Sequence, residues 1–599
     1  MIKWLVSLLL LLAVSIVHAQ DSSNLKNKAR SLAKDVYDSY LRVKQLPNDT
    51  AFIQRSEQSY RKYAGRVIRQ TIIEKVDFSR NVLDTTHRVI TTISKLANNL
   101  QAGTKQYIIH QFLFMSPGDA VDPFQLADNE RLLRQLDFIK DARIQLLPVG
   151  EDSVDMIVKV RDVFSLGVKA SAYGISDFDA TLYDANFLGW AQRLEYTLLY
   201  DHGRSPAFGS KILYRKYNIA GSFVNGEISY SNINSGISLG DEYETSADIK
   251  LDRPLYTPNA KWAGGLHLNQ SKSENRTQKP DSLYRAYAYH LQDVWLGYNF
   301  GTRITRTGSR YVPDDRNRRF AALRYFNQKF SEKPDLPFYH YLYTDKQFVL
   351  GSFSWYRQNY YRTNYILGFG VTEDVPVGFS RKIILGRTRI DSLKRTYLGW
   401  EYNHWMVLKH DHLLSYTLAL GTNYNKDGFS DNSLLTAMNW YSPLLQYRKV
   451  KVRQYATISY AGINNFTAYD KLYLNNDYGL DRYNTDSAYG TQRLTLGTET
   501  MLFTPWKLFG FKIGFFAFAK GAMLSRQTEA LTGGKLFSAI GGGFRTRNEN
   551  LIFGTIEGRL TWYPRTLGQI NSFAISFNSN LRLRFDEMQF QAPWFATIR

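Results

Sequence analysis

The chain has 599 residues, a formal charge of +21 at pH 7, a mean hydropathy of −0.35 and no cysteine. The missing cysteine excludes disulfides, thiol catalysis, cysteine zinc sites and lipidation of an N-terminal cysteine, and the negative hydropathy argues against a bundle of membrane helices. It does not argue against a membrane β-barrel, in which only alternate residues of a strand face lipid, and the 41 tyrosines and 41 glycines suit such strands.

Residues 1–19 read as a signal peptide. Lys3 supplies the positive start, Trp4 to Val17 the apolar run, and Val17-His18-Ala19 a small-residue cleavage site before Gln20. No other run is long and apolar enough for a helical span. For an exported chain, the positive charge points to lipid headgroup phosphates or acidic polypeptides and not to nucleic acid. Part of it lies in Arg303–Arg319, with six arginines and two aspartates, which reads as a solvated loop or a contact with lipid phosphates.

Residues 20–64 read as a helical segment, from Leu25, Ala29, Leu32, Val36, Tyr40 and Val43 at three- and four-residue steps, with a break at Pro47 and a second cap at Asp49. Its apolar stripe packs on a neighbouring domain or docks a partner. Residues 65–163 then read as a small α+β domain. Arg66–Phe78 is β-rich, and helices are expected at Asp84–Leu100 and Lys105–Phe114. Another starts at Asp122-Pro-Phe-Gln125, where cap, first-turn proline and capping-box partner coincide. Strands follow at Phe138–Leu147 and Val154–Val160; in the latter Val154, Met156, Val158 and Val160 share one face.

From Phe164 to residue 599, strand-like segments alternate with turns. In Thr555–Trp562 the set Ile556, Gly558, Leu560 and Trp562 opposes Glu557, Arg559 and Thr561. The fold class is therefore mainly β: a C-terminal transmembrane antiparallel β-barrel, in which sixteen to nineteen strand-like segments can be marked, preceded by the small α+β domain and N-terminal helices.

The run Leu113-Phe-Met-Ser-Pro-Gly-Asp119, with Val121-Asp122, Leu132–Leu136, Phe138–Ile144 and the closing strand, resembles a POTRA domain. POTRA domains precede the barrel in the BamA/TamA superfamily of outer-membrane assembly and transport proteins. The resemblance is strongest at 112–160 and at 164–189, where Phe164-Ser-Leu-Gly-Val and Tyr183-Asp-Ala-Asn-Phe-Leu-Gly189 open the barrel. It implies a barrel of about sixteen strands, an outer-membrane location, a periplasmic N-terminal domain and help with insertion or translocation of other proteins, without enzymatic activity or a cofactor. The implied partners are outer-membrane lipids, unfolded or partly folded clients, and periplasmic or lipoprotein accessory subunits. Client contact is expected at the Pro117-Gly118-Asp119 turn and at a weakly closed seam. The seam is formed by the first strand, with Phe164, Leu166 and Val168, and by the last, near Ser572–Phe585. The ending Gln591–Arg599 departs from barrels that stop on an aromatic residue.

The resemblance also implies a loop inserted into the lumen with a cationic tip. Tyr478-Gly-Leu-Asp-Arg-Tyr483 stands at the matching place, so Arg482 and Tyr483 are the expected contacts, Glu499 the expected partner of Arg482, and Gly521 a further contact. The family's acid on the next strand is replaced by Ala519. Other chemistry is less well supported. Gly236-Ile-Ser238-Leu-Gly240 matches a nucleophile-elbow pattern but lies between strands with no helix behind it. His404, His410 and His412 cluster near Trp405 without metal-ligand spacing. A dedicated two-partner-type secretion pore, a barrel lipid hydrolase and a passive porin-like channel are the alternative readings.

Overall fold

The computed structural model describes residues 53–76 and 103–596, apart from 173–176, 235, 239–241, 302–305, 308–309, 312–315, 338–339, 466–471, 476, 484–487, 509–510, 527–529, 549–554, 568–569 and 582–590. The signal peptide, most of the N-terminal helical segment and the helix expected at Asp84–Leu100 lie outside these residues. The described part of the N-terminal segment is not α-helical. Gln54–Arg55 is a short strand and Arg61–Tyr63 a single 3-10 turn.

The unit that follows runs β1 (Val67–Lys75), α1 (Gln106–Gln111), α2 (Pro123–Gln135), β2 (Ile139–Val149) and β3 (Ser153–Asp162). Its sheet has the order β1-β3-β2, parallel between β1 and β3 and antiparallel between β2 and β3. A parallel pair needs a long crossover, and the segment carrying α1 and α2 supplies it. α2 starts where its sequence dictates. The Asp122 carboxylate accepts from the backbone N–H of Phe124 at 2.9 Å and of Gln125 at 3.3 Å, with Pro123 in the first turn. The alternation in β3 puts Val154, Met156, Val158 and Val160 into one core with Leu126, Leu133, Phe138 and Ile144.

The rest of the chain is a large, nearly closed antiparallel barrel of about 20 strands, more than the sixteen expected. Sixteen was the number the resemblance implied, and the ring exceeds it; some of its connections are only two residues long. The strands Glu373–Ile390 and Leu393–Val407 are separated only by Asp391-Ser392. Asp391 makes that turn at φ 48°, a left-handed conformation aspartate tolerates. Period-2 alternation sorts every wall strand. Leu182, Ile212, Ile228, Ile249, Leu296, Leu323, Ile383, Leu398, Leu496 and Leu560 are exposed on the outer face, whereas Arg318, Arg395, Arg453 and Arg493 are buried on the inner one. An uncharged apolar band outside and a polar interior is the pattern of a membrane barrel of the outer-membrane type.

The small unit sits against one mouth of this barrel, and the polar face of α2 makes the contact. Glu130 is fully buried; its carboxylate accepts from the Ile144 N–H at 2.7 Å and pairs with Arg362 of the barrel wall. Arg134 forms an ion pair with Asp374 at 2.7 Å. Asp128 pairs with Arg316 at 2.9 Å and accepts from the Thr257 hydroxyl at 2.8 Å, and Arg131 lies 4.1 Å over the Tyr360 ring. Arg316 and Arg318, read in the sequence as part of a solvated or lipid-facing run, are both buried here. Gln54–Arg55 extends the same junction by pairing with Tyr361 and Arg362 at the end of the wall strand Lys346–Thr363.

Burial by itself would raise the Glu130 carboxyl, but Arg362, Arg134 and Arg143 outweigh it and hold the group below its ordinary value. A depressed carboxylate stabilises the docked state above its unfolded value and ceases to do so as pH falls through the lowered one. Docking should therefore weaken below about pH 4. Glu130→Ala leaves the buried Arg362 guanidinium without its carboxylate, while Arg134 keeps Asp374, and the expected cost is about 3–5 kcal/mol at neutral pH. Limited proteolysis of the barrel-embedded chain reads both effects as faster cutting within residues 65–163; unchanged cutting would remove Glu130 from the junction.

Candidate functional site

The barrel interior is the candidate site, and among the described residues three segments that are not wall strands enter it. The first is the connector 364–372, between Lys346–Thr363 and Glu373–Ile390, at the mouth that carries the small unit. Glu373 folds it inward by accepting from the backbone N–H groups of Ile366, Leu367 and Gly368 at 2.7, 2.8 and 2.8 Å. Its tip reaches strands several places further round the wall. Arg453 donates to the Tyr365 carbonyl at 2.7 Å and Lys512 to the Phe369 carbonyl at 2.8 Å. Tyr365 and Phe369 pack on Phe503 at 5.2 and 5.6 Å.

The second segment belongs to the connector 465–491, at the far mouth, between Val450–Asn464 and Gln492–Leu508. Leu472–Tyr473 pairs with Tyr489–Gly490, and Leu474, Leu480 and Tyr483 are buried among Ala522, Phe537, Ala539 and Tyr563. Arg493 donates from the wall to the Tyr473 carbonyl at 2.7 Å and also to the Asp477 carbonyl. The third is the tail Gln591–Ala596, inside the far half of the lumen against Phe326, Phe348 and Tyr397.

Each residue expected at the lumen loop can now be placed. Tyr483 is fully buried, with its hydroxyl donating to the Arg565 carbonyl at 3.0 Å. Arg482 does not pair with Glu499. It approaches Glu557 at 3.8 Å, while Glu499 binds Arg545 at 2.6 Å. Glu557 is the centre of this cluster, 2.9 Å from Arg545 and 3.0 Å from Arg559. The reason for the misassignment is register. Glu499 does face inward as the alternation required, but Arg545 on Lys535–Asn548 lies nearer to it than the loop does. Gly521 is not a lumen contact; a Cβ built on it would meet the outward-facing Leu536 at 3.9 Å, and its neighbour Lys520 points inward to Asp481 at 3.4 Å. Ala519 shares the outer face, so the carboxylate below the loop comes from Glu557, two strands beyond.

At the proposed receiving turn, Gly118 adopts φ 94° and donates to the Ile68 carbonyl at 2.8 Å. The Ile68 N–H donates to the Asp119 carbonyl at 2.9 Å, and the Asp119 carboxylate accepts from the Ser116 N–H at 2.9 Å. Pro117-Gly118-Asp119 therefore already covers the start of the β1 edge. Phe164 leads into Leu166–Ala172, the first wall strand, and Leu166 and Val168 face outward. That strand meets the last, Phe573–Leu581, through a single register pair among the described residues, Asn578 with Ser171. Its other neighbour, Asp177–Asp184, pairs with it along its whole length. Ser238, the candidate nucleophile, is buried with its hydroxyl donating to the Glu242 carbonyl at 2.7 Å and accepting from the Glu242 N–H at 3.0 Å. That arrangement serves a strand-to-strand turn. His404 lies beside Tyr402, and His412 stacks on Trp440.

Sequence reasoning missed the connector 364–372, the inserted tail and the central part of Glu557. The signal for the first two was present in aromatic residues inside connecting segments, at Tyr365, Phe369, Trp594 and Phe595, where water-exposed loops are usually polar.

No protein-family model matches the chain, and no curated protein does. Among solved structures it is similar to BamA from Haemophilus ducreyi lacking POTRA domains 1–3, at 12% identity and a TM-score of 0.31 over 86% of this chain and 83% of that one. It is similar also to CdiB from Acinetobacter baumannii, at 9% identity and a TM-score of 0.38 over 93% and 97%. CdiB from Escherichia coli matches at 9% identity with a TM-score of 0.37 over 94% and 99%. A siderophore receptor, PirA from Pseudomonas aeruginosa, matches at 10% identity with a TM-score of 0.30 over 87% and 86%. At these scores the likeness decides nothing by itself, and the barrel stands on its own strand pairing.

The cluster around Glu557 makes a quantitative distinction. In double-mutant cycles on unfolding in detergent, Arg545 and Glu499 should couple by about 1 kcal/mol or more, and Arg482 and Glu499 should be additive within about 0.5 kcal/mol. Coupling of Arg482 to Glu499 as large as that of Arg545 would contradict the geometry.

Proposed function

We propose that this chain is an outer-membrane protein that helps other polypeptides insert into or cross that membrane, with residues 65–163 as its periplasmic, POTRA-like receiving unit. The observation that carries the reading is the junction itself. A small sheet is fixed to one barrel mouth, next to a wall whose first and last strands share one register pair among the described residues. An extended client can add to a sheet edge through backbone hydrogen bonds, with side-chain pockets setting selectivity. The β1 edge is bridged at Val67 by Ala120 and hydrogen-bonded at Ile68 by Gly118 and Asp119, and along 70–75 no strand lies beside it among the described residues. β1 pairs with β3, which leads directly into the first wall strand, where partial seam opening would let a client strand received on β1 continue the barrel sheet.

Chemistry on the client is not part of this reading. The one serine in an elbow-like sequence is committed to its own turn, and handing over a strand exchanges backbone hydrogen bonds without a covalent step. Lipid phosphates and periplasmic or lipoprotein accessory subunits are the expected further partners. A dedicated secretion pore is the second reading, and the filled lumen favours it, because a conduit needs segments that close it at rest.

Depleting the protein and quantifying the outer-membrane proteome tests the proposal. General assistance predicts that several barrels and surface proteins fall together. Loss of one exported species alone would move the assignment to dedicated secretion, and normal levels of all of them would end the proposal.

A further inference from the structure

The last described segment of the chain is seated as a ligand would be. Its strand of origin, Phe573–Leu581, lies on the opposite side of the ring from the strands that hold it. On those strands the inner face changes character. Phe326 and Phe348 stack in parallel at 4.4 Å, and Trp594 meets both edge-on at 5.9 and 5.4 Å. Phe595 meets Phe348 at 5.1 Å and Tyr397 at 4.8 Å. Two adjacent aromatic side chains of the tail thus enter one aromatic receptacle.

Polar groups fix the backbone between them. Arg324 is held by Asp293 in a two-point ion pair, at 2.7 and 2.5 Å. So placed, it donates to the Pro593 carbonyl at 3.1 Å and lies 4.3 Å over the Trp594 ring. The Ala596 N–H donates to the Tyr397 hydroxyl at 2.6 Å, and the Ser433 hydroxyl donates to the Ala596 carbonyl at 3.1 Å. Gly421 leaves the floor open: a Cβ there would lie 2.7 Å from the Ala596 carbonyl oxygen.

These features belong to different strands, and each is matched to a separate group of the tail. A chain end collapsed into a cavity by apolar contact alone would not need a guanidinium aimed at one carbonyl, a phenol at one N–H and a missing Cβ at the next carbonyl. We propose that the inner wall carries a peptide-binding receptacle, specific for an extended segment with two adjacent aromatic residues followed by a small one. In the structure the chain's own Pro593-Trp-Phe-Ala596 occupies it as a tethered, displaceable ligand. The inference does not depend on what the barrel handles, because it concerns the recognition of one backbone-and-ring pattern. It gives the far half of the lumen a selective lining: a passing segment with that pattern competes with the tail, and one without it does not.

The test uses the full chain and a fluorescent peptide of sequence Gln-Ala-Pro-Trp-Phe-Ala, followed by anisotropy in detergent. The tether gives the resident tail an effective concentration in the millimolar range, so intact protein should bind the peptide at least about 10-fold more weakly than Trp594→Ala/Phe595→Ala, whose tail no longer fills the rings. Adding Gly421→Val to that variant closes the floor and should abolish binding. Heat-modifiable migration on gels verifies that each barrel is folded, and Arg324→Met provides a second wall variant, expected to weaken the peptide while leaving Gly421 in place. Equal affinity for intact and tail-substituted protein, binding that survives both wall substitutions, or no binding to any form would each overturn the proposal.

Discussion

A sheet placed in hydrocarbon can leave no backbone edge unpaired, because no water is present to satisfy the exposed N–H and C=O groups. Everything else in this protein is arranged around that closure. About 20 antiparallel strands meet it as a nearly closed ring, and most pairs run the length of the wall. Lys346–Thr363, for example, pairs with Glu373–Ile390 from Lys346–Ile390 to Thr363–Glu373. The contact between the first and last strands is of another kind, one register pair among the described residues.

A ring of this size encloses more space than its inward side chains can fill. The chain fills the rest with its own segments, a connector at each mouth and the tail between them, and the charged wall residues hold them there. Arg453 and Lys512 bind carbonyls of the connector 364–372, Arg493 binds carbonyls of 465–491, and Arg324 binds one of the tail. Guanidinium groups suit this task because several donors diverge from one rigid plane, so one side chain can hold a wall partner and an inserted segment together. Arg324, between Asp293 and Pro593, is the clearest case.

The architecture was legible in the sequence where local rules decide the outcome. The cap at Asp122, the alternation in Val154–Val160 and the two faces of Thr555–Trp562 each depend on residues a few positions apart. Long-range choices were not legible. Alternation put Glu499 and Glu557 inside the barrel, but which arginine reaches which carboxylate depends on strand register and loop path, and the favoured pair Arg482–Glu499 is replaced by Arg545–Glu499. The polar face of α2 carries no local signal of its role; its Asp128, Glu130 and Arg134 acquire meaning only opposite Arg316, Arg362 and Asp374. Strand number was not legible for a different reason: sixteen came from the resemblance, while this ring has about 20 strands.

If the seam opens when the protein works, as proposed, the absence of cysteine makes that opening directly testable. Ser171 and Asn578 are register partners, and directly opposed residues have Cα atoms about 4.5–5.5 Å apart, within disulfide reach. The measurement is the outer-membrane proteome of cells that carry only the Ser171→Cys/Asn578→Cys protein, under oxidising and reducing conditions. With the seam locked, client levels should fall as they do on depletion, and reduction should restore them, while either single substitution has no effect. Normal client levels with the disulfide fully formed would contradict seam opening and leave the lumen as the route.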